Sequence, residues 1–237
     1  MKTYIKQLFN LVFAISIVLS LNNCKAIQNA NNAQKGGVIG ATGGAVIGAI
    51  IGNNVGKGGN GELGALIGGV VGGGAGVLIG KKMDKQAQKI EEEIPGAEVE
   101  RIDNAIVVTF DENKGGGIYF ETEKYNINTT SQQTLNKLAN VLKEYNDTNI
   151  LVVGHTDSAG SELYNMTLSK NRAYAVNNYF KNNKGISSSR LSVNWFGESK
   201  PMSDNSIASG RAKNRRVNIV ILPNDKMKAD AKKQAGN

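Results

Sequence analysis

Two residues of opposite charge indicate the chemistry that this chain could perform. Asp157 lies in a Gly-His-Thr-Asp-Ser run that begins at Gly154, and Arg172 follows fifteen positions later. An aspartate accepts hydrogen bonds from an ammonium group, and an arginine grips a carboxylate with two parallel bonds. Together they could hold a small zwitterion. The alternative is a structural ion pair between the two side chains, and their spacing alone leaves both interpretations open.

A predicted strand and a predicted helix position this pair. The apolar run at 150–153 predicts a buried strand that ends just before Gly154. A helix is predicted to begin near Leu168–Ser169, with Arg172 in its first turn. The loop between them could bring an aspartate at a strand end together with an arginine at a helix start.

Composition narrows the kinds of partner without selecting one. The 237 residues are 40% hydrophobic and 20% charged, which is enough for one ordinary domain with additional segments. The formal net charge of +8 suits an anionic surface. Lipid headgroups, cell-wall polymer and nucleic acid all offer an anionic surface.

The chain offers little for catalysis or metal binding. It has one histidine, His155, and one cysteine, Cys24, so neither an intrachain disulfide nor a cluster of imidazole ligands can form. His155 and Asp157 are badly placed for a Ser-His-Asp site, because their side chains alternate in direction. We therefore expect no enzyme activity, no metal and no cofactor, and we interpret His155 as packed or hydrogen-bonded at the strand end.

The N-terminus has the pattern of an export signal. A short basic start precedes an apolar run at 8–21, which is too short for a comfortable membrane span. We predict a signal peptide at 1–23, and Cys24 then resembles the lipidated first residue of a bacterial lipoprotein. The alternative is an ordinary signal with a chance cysteine. Residues 24–35 are predicted as a flexible tether, and the absence of Asp after the cysteine favours the outer membrane.

Glycine recurs at every fourth residue through most of 36–80. This spacing holds in two runs that are separated by a polar break. A four-residue period places the glycines along one helix face, where a second backbone can approach closely. We predict a helical hairpin of 36–54 and 62–80, which resembles the glycine-zipper segments of bacterial envelope proteins. It would associate with a membrane or with itself, and the alternative is a surface linker of low complexity.

The rest of the chain divides at Pro95–Gly96. Residues 81–96 are polar and helix-prone and are predicted as a connector helix. From 97 to 222, alternating strands and amphipathic helices predict one α/β sandwich domain with helices covering the sheet. Residues 223–237 are rich in Lys, and we predict a disordered basic tail.

Five separated motifs run through this domain in order. They are Ile118-Tyr119-Phe120 with Lys124-Tyr125 after it, GHTDSAGS from Gly154, YNMTLSKNRAYAV from Tyr164, FGESKP from Phe196, and GRAKNRRV from Gly210. Together they resemble the OmpA-like C-terminal domain family over about residues 105–222. That family includes the peptidoglycan-associated lipoprotein and the wall-anchoring part of flagellar stators. The resemblance implies a mixed sheet with helices on one face, and non-catalytic binding of the peptide stem of peptidoglycan.

The resemblance also implies roles for particular residues. The binding residues would be Asp157, Arg172, Thr156, Asn165, Leu168 and Glu123. Asp157 would bind the amine end of a diaminopimelate side chain, and Arg172 would hold its carboxylate. Glu123 stands where the family often has Asp, and it keeps the charge. The Asn214-Arg215-Arg216 run would be structural or would contact the glycan.

Two functions of different kinds are compatible with these features. The first is an outer-membrane lipoprotein, anchored through acylated Cys24 with its domain in the periplasm, that tethers the membrane to peptidoglycan. The second is a membrane-inserting or self-assembling protein, in which the hairpin at 36–80 is the working part and the wall domain positions it. Nucleic acid is not an expected partner, because the chain carries an export signal and its basic residues lack an array of stacking aromatics.

Overall fold

The computed structural model describes residues 73–102, 104–110, 118, 120 and 124–236. Helices and strands alternate along these residues. They are α1 (Gly73–Glu93), β1 (Ala97–Ile102), β2 (Ala105–Phe110), α2 (Thr129–Glu144), β3 (Thr148–Gly154), α3 (Glu162–Asn178), β4 (Leu191–Trp195), α4 (Ala208–Asn214), β5 (Val217–Pro223) and α5 (Asp225–Gln234). A π-helical turn, Tyr179–Asn183, extends α3, and a 3₁₀ turn, Ser188–Arg190, precedes β4.

The five strands form one mixed sheet in the order β1-β2-β5-β3-β4. Neighbouring strands are antiparallel except β3 and β4, which are parallel and are joined through α3. At one edge of the sheet, Gly154 at the end of β3 pairs with Trp195 at the end of β4 and with Val217 at the start of β5. Three loops therefore meet at that edge.

The sheet separates two hydrophobic clusters. In β3, Ile150 and Val152 belong to the larger cluster, whereas Leu151 and Val153 belong to the smaller one, as the alternation of a strand requires. The larger cluster also contains the core residues of α1, α2, α3 and α5. The predicted α/β sandwich, a mixed sheet with helices on one face, is confirmed.

Helix α1 is part of this core, so the prediction of 81–96 as a separate connector helix is wrong. Its buried apolar side chains recur at intervals of three or four residues and are Ala75, Ile79, Met83, Ala87 and Ile90. The helix also passes unbroken through Gly80, where the second helix of the hairpin is predicted to end. The apolar stripe is narrow and is surrounded by Lys, Gln and Glu, which made the segment look entirely polar.

Ionic contacts tie α1 to the rest of the domain on two sides. The Lys82 ammonium pairs with the carboxylate of Asp147, in the turn between α2 and β3. On the other side, Arg101 of β1 donates from Nε to Asp84 Oδ1 at 3.0 Å. These contacts fix the orientation of a helix whose apolar face is narrow.

The predicted disordered tail at 223–237 contains a helix, α5, so that prediction is also wrong. Asn224 caps the helix by accepting a hydrogen bond from the backbone nitrogen of Met227 at 3.0 Å. Met227 and Ala231 lie one turn apart and are buried in the larger cluster with α1. Two apolar residues in a Lys-rich stretch are too few to reveal such a face from the sequence.

Several predictions lie outside the described residues. These are the signal peptide at 1–23, Cys24 with the tether at 24–35, and all of the glycine hairpin that precedes Gly73. They stay predictions. Across the residues that are described, no helix has both the length and the hydropathy needed to cross a membrane.

Candidate ligand-binding site

The site is built where α3 crosses the end of β3. A Cβ atom added to Gly154 would lie 2.1 Å from the carbonyl oxygen of Ser169, so glycine is required for this close approach. The hydroxyl of Ser169 also accepts a hydrogen bond from the backbone nitrogen of Gly197 at 2.9 Å. One residue of α3 thereby holds both the end of β3 and the loop that follows β4.

Helix α3 begins earlier than predicted. Ser161 is its N-cap and accepts a hydrogen bond from the backbone nitrogen of Tyr164 at 3.3 Å. The prediction of a start near Leu168–Ser169 is therefore wrong, and Arg172 lies in the third turn rather than the first. The start was hidden because Leu163 and Tyr164, in the first turn, are exposed and do not continue the apolar period of the buried face.

Asp157 lies in the loop after β3 and is mostly buried, with 12% of its side chain exposed. Its Oδ2 accepts from Arg215 Nη1 at 2.9 Å, and its Oδ1 accepts from the backbone nitrogen of Ala159 at 3.1 Å. The cation that the structure records beside Asp157 is thus Arg215, on the segment that leads into β5. The structural ion pair considered for Asp157 exists, with a different arginine.

Arg172 is fully buried, which is unusual for an arginine. Its Nε donates to the carbonyl oxygen of Lys124 at 3.1 Å, and its guanidinium lies 5.2 Å from the ring centroid of Phe120. The aromatic face and the carbonyl both favour a cation, which offsets part of the cost of removing the charge from water. The guanidinium is therefore held in one place before any ligand arrives.

The other predicted pocket residues lie around the same edge. The Asn165 side chain donates to the carbonyl oxygen of Ala159 at 3.0 Å and also to the carboxylate of Glu198. The backbone nitrogen of Thr156 donates to the carbonyl oxygen of Gly197 at 2.9 Å. Leu168 is 8% exposed on α3. Glu123 lies outside the described residues.

The Asn214-Arg215-Arg216 run supports the loops around the site. The Asn214 amide accepts from the backbone nitrogens of Met202 and Ser203 and donates to Ser203 O and Asn205 Oδ1, at distances of 2.8 to 3.0 Å. Asn205 Oδ1 in turn accepts from the backbone nitrogen of Ser158 at 3.3 Å. The loop after β4 is thus linked through side chains to the loop that carries the candidate carboxylate.

His155 is a packed residue, with 1% of its surface exposed. Its ring stacks on Phe196 at a centroid distance of 5.7 Å. Burial and the nearby Arg216 charge hold the pKa of His155 well below its ordinary value of 6.5, so the ring is neutral at physiological pH. Burial likewise lowers the pKa of Arg216, to about 10. Among the described residues, no group of three or more His, Cys, Asp or Glu side chains is placed to hold a metal ion.

Sequence reasoning missed two members of this arrangement. Arg215 stands in the Asn-Arg-Arg run, yet nothing in the spacing showed that it pairs with Asp157. Glu198 stands in the FGESKP motif, and a carboxylate within a recurring motif was the available signal that it contacts Asn165. Both residues precede or follow β strands at the same sheet edge, so their proximity depends on topology rather than on sequence distance.

The fold is of the OmpA-like type, with charged groups of both signs at one sheet edge. The sequence matches the OmpA family over residues 119–215 and the YMGG-like Gly-zipper family over residues 1–84. It is also 31% identical over 225 residues to the probable lipoprotein YiaD of Escherichia coli strain K12, covering 92% of this chain and 99% of that protein. This chain belongs to the OmpA family.

Two further comparisons cover part of the chain. The peptidoglycan-associated lipoprotein of Buchnera aphidicola subsp. Baizongia pistaciae is 36% identical over 107 residues, which is 45% of this chain. The chain spans 61% of that relative's length. A solved structure, described as a putative MotB like protein from Desulfovibrio vulgaris, superposes with a TM-score of 0.54 at 20% identity, covering 62% of this chain and 93% of that one. This likeness shows the fold.

Proposed function

We propose that this chain is a non-catalytic envelope lipoprotein that binds the peptide stem of peptidoglycan and tethers the outer membrane to the cell wall. The observation that supports this most is the placement of Asp157 and Arg172, one in the loop after β3 and the other on the helix that crosses the end of that strand. The end of a diaminopimelate side chain carries one ammonium and one carboxylate, so it needs one partner of each sign.

Asp157 keeps capacity for a ligand although it pairs with Arg215. An ionised carboxylate has about four acceptor positions, and the recorded hydrogen bonds from Arg215 and Ala159 use two of them. A ligand ammonium would take another. Arg172 would grip the ligand carboxylate only after the groups that cover it move, because its side chain has no exposed surface in this structure.

The remaining roles follow the family resemblance. Thr156, Asn165 and Leu168 would line the pocket, and Glu123 would be a further binding residue. Acylated Cys24 would hold the chain on the periplasmic face of the outer membrane. An anchored domain stays close to the wall, which raises its effective concentration and makes high intrinsic affinity unnecessary. The YiaD and Buchnera relatives are named as lipoproteins, which supports a place in the envelope.

Sedimentation of the full chain with purified peptidoglycan tests this proposal. Asp157→Asn keeps the size of the side chain and removes its charge, and Glu162→Gln is the matched control on an exposed carboxylate five positions away. A lost charge-assisted hydrogen bond should weaken binding roughly tenfold to a hundredfold. The control should bind like wild type. Equal binding by all three proteins, with equal thermal stability, would remove Asp157 from the site.

Competition by small ligands sharpens the same test. Free stem peptide that contains diaminopimelate should displace the protein from peptidoglycan, and a derivative of that peptide with the diaminopimelate side-chain carboxylate amidated should displace it much less, because it lacks the group that Arg172 would hold. If the amidated derivative competes equally well, Arg172 does not bind the ligand carboxylate.

A second candidate function is favoured by the match of residues 1–84 to the YMGG-like Gly-zipper family. In that case the glycine-rich segment would act on a membrane or on other copies of the chain, and the wall domain would position it. Deletion of 36–72 separates the two candidates and spares α1, which begins at Gly73. A tether should keep wall binding and envelope integrity after this deletion. Loss of envelope integrity with intact wall binding would support the second candidate.

A further inference from the structure

An open groove runs along the outer face of α3. Its volume is about 520 Å³, within the range of about 300–1,000 Å³ that is typical of small-molecule sites. One wall is the segment that precedes α2, and the other is a stripe of α3 at helical spacing. The lining residues are Tyr125, Asn126, Ile127, Asn171, Tyr174, Ala175 and Asn178. No charged side chain is among the described residues of this lining.

Two tyrosines give the groove exposed aromatic surface. Tyr125 is 48% exposed and Tyr174 is 39% exposed. The ring of Tyr174 is backed by Trp195, at a centroid distance of 6.1 Å, and the Lys170 ammonium covers Trp195 at 5.1 Å. Tyr174 is therefore an exposed ring with a supported position. A ring that is already held loses little conformational freedom when a ligand stacks on it.

Three asparagines supply the polar groups of the groove. They are Asn126, Asn171 and Asn178, and each amide offers two donor hydrogens and one acceptor oxygen. Within the described part of the chain, none of these three side chains makes a hydrogen bond to another residue. The groove thus offers flat apolar surface together with neutral donors and acceptors at its rim.

This combination matches a neutral ring with an apolar face and a hydrogen-bonding edge. A pyranose sugar has C–H bonds on its faces and hydroxyl groups around its edge. An acetamido substituent adds a planar amide, which pairs with asparagine in both directions. Small ions and zwitterions fit poorly, because none of the described lining residues carries a charge to hold them.

The groove adjoins the candidate stem-peptide pocket. Asn171 in the groove directly precedes Arg172, and Tyr125 directly follows Lys124, whose carbonyl oxygen accepts from Arg172 Nε at 3.1 Å. We propose that the groove binds an N-acetylated amino sugar of the wall glycan while the pocket holds the stem peptide attached to that glycan. Three stem residues span at most about 10 Å, so one polymer segment can reach both. This inference rests on the proposed function and adds a second contact to it.

Separate binding measurements on glycan and peptide test the groove. An amidase that cuts between sugar and stem supplies both probes, peptide-free glycan chains and free stem peptide. The full chain should bind both. Tyr174→Ala should weaken binding to peptide-free glycan between about threefold and tenfold, as expected for one lost aromatic contact. Asn171→Ala should weaken it in the same direction, and both variants should bind free stem peptide within twofold of wild type.

Two further variants serve as controls. Tyr174→Phe keeps the ring and should retain glycan binding. Asn182→Ala removes an exposed amide from the π-helical turn outside the groove and should change neither affinity. Thermal unfolding of each variant reports whether the domain is folded.

The outcomes separate this inference from the proposed function. If Tyr174→Ala and Asn171→Ala both bind glycan like wild type while stem peptide still binds, the groove is not a glycan site and the wall-binding proposal stands. If glycan binds in a Tyr174-dependent manner and stem peptide does not bind, the peptide assignment of Asp157 and Arg172 is wrong. If neither probe binds to the folded full chain, both proposals are overturned.

Discussion

The sheet edge at Gly154 and the layer formed by α1 and α5 are stabilised by different kinds of contact. At the edge, buried polar side chains such as Asn165 and Asn214 join three loops through directed hydrogen bonds. In the layer, Ile79 and Met83 of α1 pack into one cluster with Met227 of α5. Hydrogen bonds fix geometry, whereas apolar burial is non-directional and scales with area. Binding should therefore depend on the edge, and global stability on both.

The largest effect should come from a truncation in the layer. Met83→Ala removes a fully buried side chain and should lower the free energy of unfolding by about 2–5 kcal/mol, measured by urea denaturation. The folded protein should still bind peptidoglycan within twofold of wild type. Gln88→Ala, at an exposed position of the same helix, is the control. Strong loss of wall binding by folded Met83→Ala would mean that the layer and the edge are not separable.

Truncation of a polar side chain at the sheet edge should lower both stability and wall binding. Asn214→Ala removes the amide that bridges Met202, Ser203 and Asn205. Leaving these groups without partners should cost about 1–3 kcal/mol of stability. Because Asn205 contacts the loop that carries Asp157, wall binding should fall as well. Asn214→Ala with reduced stability and unchanged wall affinity would contradict the coupling of this network to the site.

Because of His155, at the sheet edge, the stability of the domain should also depend on pH. Its pKa in the folded state lies below the ordinary value of 6.5, so between these two values the unfolded chain binds a proton that the folded chain does not. The contribution of the neutral ring to the free energy of unfolding is therefore fully present above about pH 6.5. Below that pH, the free energy of unfolding should fall by about 1.4 kcal/mol per pH unit. Denaturation at pH 7.5, 6.0 and 5.0 measures this slope. His155→Phe keeps a ring beside Phe196 and should flatten it, and an equal slope in both proteins would assign the effect elsewhere.

The smallest effect on stability should come from the N-cap of α5, in the layer formed by α1 and α5. Asn224→Ala removes the side chain that caps α5 and should lower stability by about 1 kcal/mol, within a usual range of 0.5–2 kcal/mol. Lys232→Ala in the last turn is exposed and should have little effect. A change of zero for Asn224→Ala would indicate that α5 contributes nothing to the stability of the domain in solution.

Sequence patterns predicted the sheet well because its strands obey strong local rules. The alternation in β1 and the apolar run of β3 reflect burial of one face or both. The same rules predicted helix over most of α1 but missed its burial in the domain, and they missed α5 altogether, because a stripe such as Ala75 to Ile90 is one side chain wide. A single stripe buried under tertiary contacts leaves a polar average composition.

At the candidate site, the sequence singled out individual residues but did not show how they are connected. Motifs alone were enough to single out Asp157, Arg172 and Asn165. The depth of Arg172 and the pairing of Asp157 with Arg215 follow from where α3 and β5 lie, and residues 58 positions apart meet only through topology. The local sequence shows which residues are charged, whereas the ion-pair partner of each charge depends on the fold.

Helix α1 has a mechanical consequence. Residues 73–84 belong both to the glycine-zipper match and to a helix whose buried face is shared with the sheet and α5. Twenty-one residues of α-helix span about 31 Å. A load applied at Gly73 along the helix axis would therefore enter the domain as shear along this length, with many apolar contacts resisting it together. A tension-bearing link built this way yields as a unit instead of peeling open one turn at a time.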